Sequence, residues 1–169
     1  MEPMKRLLFL LFATGVSSEA LANVLAAHNN TLSILNNFLA GQEALFAALS
    51  TAKDITVLAP NNDALNKLAD DDAVMDAMAS EDGMVAAFLK YHVFHGTYYT
   101  SNFTSDQSPT IVTTMMNDTS YTNVTGGQRA AGTIINGAVN FISGNQNLAS
   151  VKSGVSPPPP PFPPSPTQT

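Results

Sequence analysis

Apolar positions in the first half of this chain recur every three or four residues. In the second half they give way to short β-rich runs broken by turns. Leu21, Val24 and Leu25, then Leu32, Leu35, Phe38 and Leu39, then Leu45, Phe46 and Leu49 predict two or three short helices over 23–50. Asn30 and Thr31 offer caps for the second helix, and Gly41 breaks it before the third. Ile55–Ala59 is continuously apolar between Lys53-Asp54 and Pro60, the pattern of a buried central strand. Asn61 can cap a helix over roughly 62–68, because its side-chain oxygen can accept from free backbone N–H groups. A further helix opens at Ser80-Glu81-Asp82-Gly83, carries Met84, Val85, Phe88, Leu89 and Tyr91 on one face, and ends at Gly96.

Beyond Gly96 the residues Thr, Tyr, Val and Ile predict strands at 97–103, 110–115, 120–125, 132–135 and 138–142. Asn136-Gly137 is the clearest hairpin turn. Helices first and strands afterwards make the class α+β, with the N-terminal helices packed on an antiparallel sheet.

At 169 residues the chain holds one compact domain and little more. A net charge of −6 and only seven Lys and Arg argue against nucleic acid as a partner, since phosphates need basic side chains to neutralise them. Seven of the thirteen acids lie between Asp63 and Asp82, where they suit exposed helix faces and helix starts. Asp70-Asp71-Asp72 splay around a helix and lack calcium-loop spacing, so no metal site is assigned there. The absence of cysteine removes disulfides, thiolate zinc sites and cysteine nucleophiles together.

Lys5-Arg6, the run Leu7–Ala13 and the small-x-small Ala20-Leu21-Ala22 together form the pattern of a secretory leader over 1–22, with Val16-Ser17-Ser18 as a second cleavage point. The alternative is that part of 19–28 is the first helix of the domain. The domain then spans 23–152. Four Asn-x-Ser/Thr acceptors, at Asn29, Asn102, Asn117 and Asn123, fit an extracellular glycoprotein. No later apolar segment offers a membrane anchor, so the chain as written is expected to be released. Residues 153–169 form a proline-rich tail, read as an extended polyproline spacer rather than a PxxP ligand, because the domains that bind such ligands are cytosolic. Ser156 and the prolines after it resemble extensin-type wall-protein modules.

Two segments carry a wider resemblance. Thr56-Val57-Leu58-Ala59-Pro60-Asn61-Asn62-Asp63-Ala64-Leu65 is similar to the T-V-F-A-P-T-N-x-A-F motif of fasciclin-like domains. Leu89-Lys90-Tyr91-His92-Val93-Phe94-His95-Gly96-Thr97-Tyr98 matches that family's L-x-Y-H-V-x-x-G-x-Y run. Tyr121–Gln128 and Val139–Gly144 resemble later segments, so the likeness covers roughly 19–152. One departure stands out. The family closes with an apolar strand of the G-x-I-H-x-I-D-x-V-L kind, and nothing like it follows Lys152. The resemblance therefore implies a domain missing its last strand, with an unpaired edge. A truncated gene model, a splice variant or completion by a partner strand would each account for it.

The resemblance implies a secreted, non-catalytic module for cell adhesion or cell-wall and matrix interaction. Its partners would be cell-surface or wall components, protein or polysaccharide, with no cofactor. It also places Tyr91 and His92 near an adhesion surface. The structural alternative is that His92 packs under the first motif and bonds a neighbouring backbone group or carboxylate. His92 and His95 could share a helix face as a metal pair, but no third ligand is recognisable. A secreted hydrolase is the rival class, although no Gly-x-Ser-x-Gly or His-Glu-x-x-His pattern occurs. A non-functional fragment is the third.

Overall fold

The structure, a computed structural model, describes residues 7–14, 19–81, 83–105, 108–142 and 148–153. The tail prolines and the first six residues lie outside them. After a first strand β1 (Leu7–Thr14) come three helices, α1 (Glu19–Ala27), α2 (Asn29–Ala40) and α3 (Glu43–Thr51). Their apolar stripes meet in one core. Of the ten positions picked out by helical spacing, Leu21, Leu25, Leu32, Leu35, Leu39 and Leu49 are buried there, and Val24, Phe38, Leu45 and Phe46 pack against them partly buried. Gly41 ends α2 as read, but the residue before that helix is His28, and Thr31 donates its hydroxyl back to the His28 carbonyl.

Strand β2 (Ile55–Pro60) is buried at every position and leads into α4 (Asn62–Ala69), then α5 (Asp72–Ser80) and α6 (Met84–Tyr91). The acidic triplet is divided between ends. Asp70 closes α4, Asp71 caps α5 by accepting from the Val74 amide at 3.3 Å, and Asp72 opens the first turn of α5. The β-rich half follows as β3 (Val93–His95), β4 (Thr110–Thr113), β5 (Arg129–Ile135), β6 (Ala138–Ile142) and β7 (Leu148–Ser153). The class is α+β. The hairpin between β5 and β6 turns at Asn136-Gly137, both at positive φ, as the Asn-Gly pair requires.

Two predicted strands are not strands. In 97–103 the Tyr98 amide donates to Thr56 Oγ1, and the Asn102 side chain accepts from the Tyr99 amide, which closes a 3-10 turn at Thr100–Asn102. In 120–125 the chain folds on Asp118. Its carboxylate accepts from the Ser120 amide, and its carbonyl accepts from the amides of Tyr121 and Thr122. Backbone groups met locally in this way are lost to a ladder.

The seven strands among the described residues form one sheet, in the order β3-β2-β1-β7-β6-β5-β4. It is mixed rather than wholly antiparallel, since β1 runs parallel to β7. The sheet curls until its two end strands meet. Phe94 bridges to Thr114 just past β4, and the Met115 amide donates to the Val93 carbonyl at 2.7 Å. A second core fills the inside of the curl, with Leu58, Phe94, Phe103, Val112, Val139 and Phe141 at its centre. Gly132 is what lets two of these rings in. A Cβ there would lie 2.5 Å from the Phe103 ring and 2.9 Å from that of Phe141.

The unpaired edge expected at the end of the domain is not present. Strand β1 lies between β2 and β7, antiparallel to the first from Phe9↔Pro60 to Thr14↔Ile55. The residues read as the apolar stretch of a leader thus stand in the middle of the sheet.

Candidate functional site

The first motif works as a joint between strand and helix. Asn61 caps α4 as expected, accepting from the Ala64 amide at 2.9 Å. The next residue does more. The Asn62 amide accepts from the Ile34 N–H at 3.1 Å and donates to the Asn30 carbonyl at 3.3 Å, which are the two ends of one i, i+4 pair in α2. It also donates to Ser33 Oγ at 3.0 Å. Asn62 therefore fixes α4 to α2, a role the spacing alone did not reveal.

The second motif changes structure part-way along. Helix α6 ends at Tyr91, His92 is its C-cap, and Val93–His95 pair with β2 as β3. The helix face that His92 and His95 were expected to share is thus absent. His95 sits exposed at the end of β3, whereas His92 is buried. Among the described residues no group of three His, Asp or Glu side chains could hold a metal.

His92 Nδ1 lies 2.8 Å from the Phe88 carbonyl, and the ring packs against Phe88 at 4.5 Å and edge-on to Tyr91 at 5.8 Å. Burial pushes its pKa from the ordinary 6.5 down to about 4, with the Phe88 carbonyl only partly opposing this. The imidazole is therefore neutral at pH 7, with Nδ1–H donating to Phe88. Beside it lies a cavity of about 20 Å3 lined by leucines and valines, room for little more than one water. The His92 carbonyl accepts from the Leu58 amide at 2.7 Å, which joins the two motifs directly.

Tyr91 is half-buried, and burial raises its pKa. Next to α6 lies the loop between β4 and β5. Tyr121 packs against the backbone at Gly83, and the hydrogen bonds that the exposed Asp118 carboxylate accepts from Ser120 lower its pKa, with a smaller contribution from the charge of Lys90. Thr114 and Thr122 hold the loop's base through Gln128. The result is an open polar recess of about 570 Å3, lined by His95, Asn117, Thr119, Thr122, Asn123 and Gly127 among others.

The asparagines of the four Asn-x-Ser/Thr sequences are all exposed. Asn117 and Asn123 stand together at this recess. Asn29 rims a separate apolar trough of about 480 Å3 between α1, α2 and α3, and Asn102 closes the 3-10 turn.

The sequence profile of the fasciclin domain matches residues 30–151, from the start of α2 to β7. The chain belongs to the fasciclin domain family. No curated protein matches it. Fasciclin domains are generally non-catalytic adhesion domains of extracellular or surface-associated proteins. The two motifs that resemble the family are, in this fasciclin domain, the two sides of the β2–β3 pair. No helix among the described residues is long and apolar enough to cross a membrane.

Proposed function

We propose that this fasciclin domain is a secreted, glycosylated and non-catalytic module for cell adhesion or for contact with cell-wall or matrix components. Its contact surface is the face where α6, which ends at Tyr91, lies beside the β4–β5 loop. What carries this reading is family membership together with the chemistry of that face. It offers a half-buried tyrosine at the end of α6 and, along the neighbouring β4–β5 loop, a recess of hydroxyl and amide groups, which suits hydrogen bonding to a polar polymer or protein surface. His92 supports the face from within, holding the end of α6 against β2. Glycans on Asn117 and Asn123 would stand at the mouth of the recess, and their occupancy would set how much of it a partner reaches. The polyproline tail would serve as a spacer.

The test is adhesion of the secreted chain to immobilised wall and matrix fractions. Tyr91→Ala is expected to lose most of the bound fraction while Asn29→Gln, on the far trough, keeps it. Equal loss in both variants, or binding by neither variant nor parent, contradicts the assignment.

A further inference from the structure

Strand β1 belongs to the sheet by hydrogen bonding but lies outside the domain by sequence. Its residues pair with β2 at six positions and with β7 at four. Yet the fasciclin match begins at residue 30, well after it. Only residues 15–18 connect it to α1, and these include the second predicted cleavage point.

The rest of the sheet is tied together without β1. Strand β3 pairs with β2, and β7, β6, β5 and β4 pair in series. The Phe94–Thr114 bridge links the two groups at the far side of the curl. Taking β1 away would leave β2 and β7 facing one another across two strand spacings, roughly 10 Å. Both would then present unpaired backbone groups toward the gap, which is the template an added strand requires.

We propose that this gap is a binding slot for an extended apolar peptide, and that residues 7–14 occupy it as a separable strand. Main-chain pairing on two sides supplies the affinity. Direction is fixed as well, because the occupant runs antiparallel to β2 and parallel to β7. The sequence Leu-Leu-Phe-Leu-Leu-Phe-Ala-Thr suits the place, since strands in the middle of a covered sheet read as continuous apolar runs. Processing after Ser18 would cut the tether and leave every other described element whole.

The experiment uses the full chain with residues 15–18 replaced by a site-specific protease sequence. After nicking, the N-terminal piece is expected to co-elute with the remainder on size exclusion. A fluorescent peptide of residues 5–14 should exchange into its place, whereas the same peptide with Leu10→Pro, lacking a backbone donor, should not. Three results would overturn the proposal. One is release of the piece with the thermal melt unchanged, and another is release with loss of folding that added peptide does not restore. The third is a species of doubled mass, which would make a second copy the source of the strand.

Discussion

His92 is a buried base kept neutral by its surroundings. An unfolded chain takes up a proton here near pH 6.5, while the folded one resists until about 4. Its contribution to stability is therefore fully present above pH 6.5, falls as the pH drops, and levels off below 4. At about 1.4 kcal/mol per unit the loss across that window is roughly 3 kcal/mol. Urea unfolding at pH 7.5 and 4.5 should show it, and His92→Leu should reduce the difference between the two. Asn62 is expected to matter as much. Asn62→Ala removes the side-chain bonds to Ile34, Asn30 and Ser33 that tie α4 to α2 and should cost about 1–3 kcal/mol in the same assay. Gly132→Ala pushes a methyl into the Phe103 ring and should cost a similar roughly 1–3 kcal/mol, with loss of near-UV aromatic signal.

At the level of elements, the helical half was legible because apolar spacing there coincides with burial. Leu32, Leu35 and Leu39 lie on one stripe, and packing did not override it. The strand β2, the Asn61 cap and the Asn136-Gly137 turn were legible for the same reason, since one local signal decided each. The β-rich half was harder. Residues 120–125 have strand composition, but Asp118 claims their amides, and a carboxylate two or three residues upstream is easily overlooked beside Thr and Val. Strand β3 was hidden within a motif that begins as a helix, and β7 has only Leu148 and Val151 as large apolar residues. Of the proposed site, Tyr91 and His92 were picked out through the resemblance. The Asn62 contact was not, because it depends on which helix folds beside it.

One element-level consequence concerns processing. Leu21 is 3% exposed in the helical core, so a cut after Ala22 would remove a buried leucine along with the start of α1. A cut after Ser18 spares both. N-terminal sequencing of the secreted chain is expected to find Glu19 as the first residue, and a start at Asn23 would contradict this.

For the whole molecule, the fold joins the two motifs at the β2–β3 pair, and α6, which ends at half-buried Tyr91, lies beside the β4–β5 loop. Adhesion through this face is the claim on which the functional account stands. The most direct measurement is the binding of the secreted, glycosylated chain to wall and matrix fractions, in parallel with Tyr91→Ala and Tyr91→Phe. Both variants must first be shown to melt like the parent. The account predicts saturable binding by the parent, strong loss in Tyr91→Ala and partial retention in Tyr91→Phe. A stable parent that binds nothing, or three proteins that bind alike, would contradict it.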